Sequence, residues 1–214
     1  MSLRIVTAEP DDFRARVLVP LPERRVASVA EAPRPTVDIV VPVPNQERDL
    51  ARSVRRLRAY LAAEFPFTAR ITITDNAGGD LTLAIASELA AELPEVRVLH
   101  LNEKGRGRAL AAAWLTSEAR VVTSMDGTLS PDPAVLMRLV APVISRHGDM
   151  SIASPGRLKA LRADVARWLI PKVVNRNRFF DAELLVRAEL AGLRILRFRS
   201  NWRGAAERYS ALPL

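Results

Sequence analysis

Three times between residues 37 and 125 the sequence places a short β-branched run before a loop and a segment with apolar residues at helical spacing. The runs are Val37–Val43 (VDIVVPV), Arg70–Thr74 (RITIT) and Val96–Leu101 (VRVLHL), and a fourth follows at Arg120–Met125 (RVVTSM). Near-continuous apolar strands of this kind are buried on both faces, as in a parallel sheet covered by helices. Successive strand–helix units join through right-handed crossovers. The expectation is a single-domain α/β fold with a mostly parallel sheet.

Local signals place the helices. Asn45 is read as an N-cap for a helix carrying Leu50, Val54, Leu57 and Leu61, which Pro66 stops. Asp80 is read as the cap of a helix with Leu81, Ile85 and Leu89 on one face. Gly105 and Gly107 open a helix with Leu110, Ala113 and Trp114, and Asp132 caps another through Ile144. Further on, 149–154 reads as a short strand, 163–169 and 181–190 as helices, and 194–198 as a last strand. Phe179 and Phe180 are expected to anchor the last helix, and Trp114 and Trp202 to pack. Residues 1–35 form a separate arm, with Pro10, Pro20, Pro22, Pro33 and Pro35 around Val17-Leu18-Val19. That arm either adds an edge strand or lies over the domain of residues 36–214.

Composition narrows the function. A chain of 214 residues, 49% hydrophobic, is long enough for one ordinary core. No apolar run approaches the ~18 residues of a membrane span. Glu9, Asp11 and Asp12 precede any apolar stretch, which argues against a signal or transit peptide. Without cysteine there are no thiolate metal sites, and the two histidines are far apart. A cytoplasmic setting fits, with a peripheral place on the inner face of the membrane left open.

Charge is unevenly spread. Residues 1–155 hold 19 basic and 19 acidic side chains, whereas residues 156–208 hold 13 and 5. The excess faces some anion, either an anionic membrane or a phosphorylated substrate, unless it is an ordinary solvated Arg-rich face. Nucleic acid is the weakest reading, because no recognition module or spaced aromatic platform is present.

In an open parallel sheet, ligands bind beyond the C-terminal strand ends. The loops there are 42–47, 74–80 and 125–132, and carboxylates follow the second and fourth strands directly as Asp75 and Asp126. Neither a dinucleotide fingerprint nor a Walker motif occurs. The stretch Lys104-Gly105-Arg106-Gly107-Arg108 reads either as a phosphate cradle at a helix N-terminus or as a plain glycine-bearing helix entry.

Taken in order, PVPNQE (42–47), TDNAGGDLT (74–82), NEKGRGRALAAAW (102–114) and MDGTLSPDP (125–133) resemble the family 2 glycosyltransferases of GT-A, Rossmann-like fold. FFDAELL (179–185), AGLRI (191–195) and Trp202 resemble the ending of bacterial members that glycosylate polyprenyl phosphate. The resemblance implies a nucleotide-sugar half at 36–153 and an acceptor half at 154–214. Pro42, Val43, Pro44 and Gln46 would meet the base, Asp75 and Asn76 the base or ribose, and Lys104, Arg106 and Arg108 the diphosphate. Asp126, Gly127 and Thr128 stand where the family's Asp-x-Asp holds Mg²⁺ or Mn²⁺, with Asp126 as the catalytic residue and the motif's sole carboxylate ligand. Arg157, Arg178, Asp181 and Glu183 fall on the acceptor side, although a capped helix start explains the two acids equally well.

The departures from the family pattern carry information. Thr128 replaces the second carboxylate, Gln46 a Glu and Pro44 a Tyr, so metal affinity should fall. After 150–153 the chain passes directly through 154–159, so the acceptor half is shortened and basic. A lipid phosphate, with a second pKa of about 6, needs little help from a general base, whereas a sugar hydroxyl would need one. The expected activity is therefore sugar transfer from a nucleotide-sugar donor to an acceptor such as polyprenyl phosphate. The alternative is a degenerate relative serving as a nucleotide-binding or regulatory subunit. A membrane-protein or homo-oligomer partner is left open.

Overall fold

The β-branched runs form the centre of a nine-stranded sheet in which helices cover both faces. The structure, a computed structural model, describes residues 3–4, 16–20, 34–77, 80–125, 132–154 and 158–199. The strands are β1 (Leu3–Arg4), β2 (Arg16–Pro20), β3 (Val37–Pro42), β4 (Ala69–Asn76), β5 (Val96–Leu101), β6 (Val121–Ser124), β7 (Met150–Ser154), β8 (Leu158–Arg162) and β9 (Ile195–Arg199). Their spatial order is β1-β2-β5-β4-β3-β6-β8-β7-β9. The four sequence-legible strands run parallel as β5-β4-β3-β6. Each expected strand is present, and of the two readings of Val17-Leu18-Val19 the strand is the one seen: β2 pairs antiparallel with β5, with the short β1 outside it at the edge.

The helices are α1 (Leu50–Glu64), α2 (Thr82–Glu92), α3 (Arg106–Leu115), α4 (Val135–Ile144), α5 (Ala163–Leu169) and α6 (Phe180–Leu190). Alternation along the strands sends Ile39, Val41, Ile71 and Ile73 toward Leu50, Leu57, Leu89 and Leu139 of α1, α2 and α4. Val40, Leu99 and Val122 face Leu110, Trp114, Leu169, Phe180 and Leu184 of α3, α5 and α6. Two apolar layers thus sandwich the sheet.

Four local expectations are corrected. Asn45 is not a helix cap: it sits in a turn with φ 48°, and α1 begins five residues later at Leu50. The buried face of α2 is Thr82, Ala86 and Leu89, while Leu81 is 66% exposed, because the helix starts one residue past it. Phe180 anchors α6 to the core, but Phe179 points outward at 61% exposure. The segment after β7 does not pass straight through: it returns as β8, antiparallel between β6 and β7. Lys159 lies buried within it.

Candidate functional site

Register brings the strand ends together. Pro42 pairs with Thr74, and Val43 N donates to Thr74 O at 3.0 Å. Asp75 pairs with His100 and Asn76 with Leu101. Beside β3, β6 ends at Ser124 opposite Val40, and Met125 N donates to Val40 O at 2.9 Å. The chain leaves this point toward Asp126, Gly127 and Thr128. Those three residues, Arg157 and Trp202 lie outside the described residues.

Two loops at these ends are laced together. Gln46 N donates to Thr82 Oγ1 at 2.8 Å, Glu47 N to Asp80 Oδ2 at 3.4 Å, and Leu81 N to Glu47 Oε2 at 3.2 Å. Asp80 Oδ1 also accepts from Thr82 N; the N-cap position itself is Leu81, so Asp80, expected as the cap, supports the start of α2 from one residue outside it. Hydrogen bonding from Thr82 holds its carboxyl below the usual range. Gln46 is thereby fixed against the start of α2, while Pro44 at the loop tip is exposed and Val43 is buried.

Polar atoms left without partners concentrate here. Asp75, only 1% exposed, accepts from His100 Nδ1 at 2.8 Å through Oδ2. Its Oδ1 has no hydrogen-bond partner among the described residues, and the same holds for Gln46 Oε1, Thr74 Oγ1 and Asn76 Oδ1. Leaving such a group unsatisfied costs roughly 1–3 kcal/mol, so a cluster of them calls for a ligand or another partner. Asp75 shares the sheet face of Ile73, whereas Thr74 and Asn76 share that of Thr72, so the strand end is polar on both faces. Sequence reasoning passed over His100. The available signal was that Asp75 and His100 each sit one residue before the end of neighbouring parallel strands.

At the α3 N-terminus the glycines are explained by packing. A Cβ on Gly107 would lie 2.4 Å from Phe180 Cβ, and one on Gly105, whose φ is 143°, would lie 2.7 Å from Asn177 Oδ1. Arg108 N donates to Arg176 O at 2.8 Å, so the 176–180 segment occupies one of the free helix donors. Lys104 is exposed, and Arg108 pairs with Glu103. Arg106 Nε lies 3.6 Å from Asp181 Oδ2, while Lys159 Nζ lies 2.6 Å from Asp181 Oδ1. Lys159 is 2% exposed and stands opposite Ser124 in the β6–β8 register, two residues before Asp126. Its role was missed because its partner lies 22 residues away in the chain.

On the acceptor side, Asp181 faces both of these cations, which leaves one net positive charge in the cluster. Glu183 accepts from Val174 N at 3.0 Å, Asn175 N at 2.7 Å and Arg187 Nε at 2.7 Å. The backbone donors, aided by Arg187, pull its carboxyl down to about 2. Glu183 therefore staples the 173–175 segment to α6. Arg178 is exposed beside it. Trp114 is fully buried and packs on Phe180 at 6.3 Å between centroids, as a core residue. Among the described residues no group of three or more His, Asp or Glu could hold a metal ion. No helix among them is long and apolar enough to cross a membrane.

An open, mostly parallel α/β sheet binds its ligands beyond the C-terminal strand ends, where these acceptors lie buried and unsatisfied among the described residues. Comparison with known proteins sharpens this. The profile described as Glycosyl transferase family 2 matches residues 38–209, and the chain belongs to that family. Among characterised relatives, it is 26% identical to glycosyltransferase AglD of Haloferax volcanii, over 85% of this chain and 35% of the relative. It is also 26% identical to dodecaprenyl-phosphate galacturonate synthase of Rhizobium johnstonii, over 54% of this chain and 35% of that one. The chain thus spans about a third of the length of these curated relatives. Two similar solved structures show the GT-A fold. The mannosyltransferase PcManGT from Pyrobaculum calidifontis, in complex with GDP-Man and Mn²⁺, has a TM-score of 0.62 and 17% identity, covering 78% of this chain and 55% of that one. Glucosyl-3-phosphoglycerate synthase from Mycobacterium tuberculosis, with Mn²⁺, UDP and glucosyl-3-phosphoglycerate, has a TM-score of 0.61 and 15% identity, covering 89% and 82%.

Proposed function

We propose that this chain transfers a sugar from a nucleotide-sugar donor to a lipid phosphate such as polyprenyl phosphate, at an anionic membrane surface. The observation that carries the donor half is the cluster of buried atoms on Gln46, Thr74, Asp75 and Asn76 that have no hydrogen-bond partner among the described residues. A nucleoside supplies N–H and O–H donors that would satisfy them. Pro42, Val43 and Pro44 form the rest of that wall, and Lys104, Arg106 and Arg108 lie on the diphosphate side.

Asp126 and Thr128 would hold a divalent ion, Mg²⁺ or Mn²⁺; one carboxylate and one hydroxyl are oxygen donors that fit such an ion but bind it weakly. When bound, the ion would neutralise charge on the leaving diphosphate. Arg106 adds fixed positive charge on the same side, oriented by Asp181. The acceptor reading is supported by the name of the Rhizobium relative and by the surface around α5 and α6. There Trp168, Val174, Phe179, Val186 and Leu190 are exposed, beside Lys172 and Arg178. Apolar side chains among cations suit a membrane interface, and Arg157 and Arg178 would meet the phosphate. A phosphate dianion attacks without a general base, which agrees with the engagement of Asp181 and Glu183 elsewhere.

A thermal-shift screen of nucleoside diphosphates and their sugars, with and without Mn²⁺, tests the donor site. Stabilisation by one nucleotide, strengthened by Mn²⁺ and weakened in Asp126→Asn, is the expected result. Transfer to polyprenyl phosphate should follow the same base preference and vanish in Asp126→Asn. Donor binding without transfer or hydrolysis across a broad acceptor panel would instead identify a binding subunit.

A further inference from the structure

His100 is a half-buried side chain to which nothing so far gives a task. Its ring sits on β5 directly beside Asp75, with Nδ1 2.8 Å from Oδ2. A carboxylate oxygen only accepts, so the proton of this contact is carried on Nδ1. Asp75 is sealed at 1% exposure, and its other oxygen has no donor among the described residues. A carboxylate held at one oxygen keeps a fixed orientation, so the second is presented in one direction.

We propose that His100 is a positioning residue for recognition of the donor base: it pins Oδ2 of Asp75 so that Oδ1 meets a ring N–H. This rests on the donor-site reading above. Uracil offers N3–H and guanine N1–H, whereas cytosine N3 and adenine N1 are lone pairs that a carboxylate oxygen repels. Through Asp75, His100 thus favours uridine or guanosine donors over cytidine or adenosine ones. The buried Oε1 of Gln46, on the adjoining loop, is a further acceptor that suits guanine, whose exocyclic amino group lies beside N1–H, rather than uracil, whose N3–H is flanked by two carbonyl oxygens.

The test measures binding of UDP, GDP, CDP and ADP by calorimetry to the whole chain and to His100→Leu, His100→Asn and His100→Gln. An asparagine amide nitrogen occupies roughly the place of Nδ1, whereas that of glutamine reaches toward Nε2. The wild-type chain should prefer UDP or GDP. His100→Leu should lose about tenfold in affinity for the preferred nucleotide, the scale typical of lost outer-shell support, and much of its preference over CDP and ADP. His100→Asn should restore both, and His100→Gln should not. Equal binding of all four nucleotides by the wild-type chain, an unchanged preference in His100→Leu, or equal behaviour of the Asn and Gln variants would overturn the proposal. If His100→Leu does not fold, the Asn and Gln pair decides. Failure of the wild-type chain to bind any of the four nucleotides would overturn the donor-site reading itself, and this proposal with it.

Discussion

Asp38, near the start of β3, and Asp75, near the end of β4, are both sealed inside the sheet, at 0% and 1% exposure. Their surroundings differ completely. Asp38 accepts from Thr72 Oγ1 at 2.6 Å, Ser117 Oγ at 2.6 Å and Arg70 Nη2 at 2.7 Å, with Arg97 Nη2 at 3.8 Å. Burial pulls Arg97 below its ordinary range, and Asp38 opposes that pull. At this end both carboxylate oxygens are engaged. Asp75 has one partner, and its other oxygen has none among the described residues, like the neighbouring Gln46 Oε1, Thr74 Oγ1 and Asn76 Oδ1. One end of the sheet commits its buried charge to holding the fold, and the other carries acceptors that no described residue satisfies.

The sharpest way to break this contrast is Asp38→Ala, which strands two arginines and two hydroxyls. It should cost about 3–5 kcal/mol in urea unfolding, the range for one removed partner of a buried ion pair. A loss below about 1 kcal/mol would mean that the network is ornamental. Between the two ends, Gly107→Ala should cost about 1–3 kcal/mol by forcing Phe180 aside. An unchanged midpoint would return the glycine to phosphate binding. Asp75→Asn keeps the shape, so its unfolding free energy should move by less than about 1 kcal/mol. Its nucleotide affinity should fall about tenfold by calorimetry, or about 1.4 kcal/mol. A stability loss as large as that of Asp38→Ala would erase the distinction between the two ends of the sheet. The smallest effect concerns Glu183, whose folded carboxyl is depressed from 4.5 to about 2. A depressed acid stabilises the fold above its unfolded pKa and loses that contribution as pH falls. The stability gap between wild type and Glu183→Gln should therefore be full above about pH 5 and close on acidification toward pH 2.

Much of the parallel sheet was legible because its strands are written as continuous β-branched runs, which few other environments tolerate. Leu158–Arg162 was not legible, since Leu-Lys-Ala-Leu-Arg carries two cations in five residues. It forms a buried strand because Asp181, far along the chain, neutralises Lys159. Asn45 shows a second limit: a residue that caps helices also tolerates left-handed turns, and only tertiary lacing to Thr82 and Asp80 decides between them. For the site, the motif order placed Pro42 and Asp75 at adjoining strand ends. The pairing of Asp75 with His100 needed the register, which no local window contains.

The antiparallel pairing of β2 with β5 has a practical consequence for handling this protein. Without it, β5 would present a row of bare backbone donors and acceptors along Val98, Leu99 and His100. Such an edge invites strands from other molecules. Trimming the sequence to begin at the family match would remove this guard, and the shortened chain should self-associate through β5, visible as larger species in light scattering. The arm is in effect a built-in safeguard against aggregation, and any expression strategy should keep it.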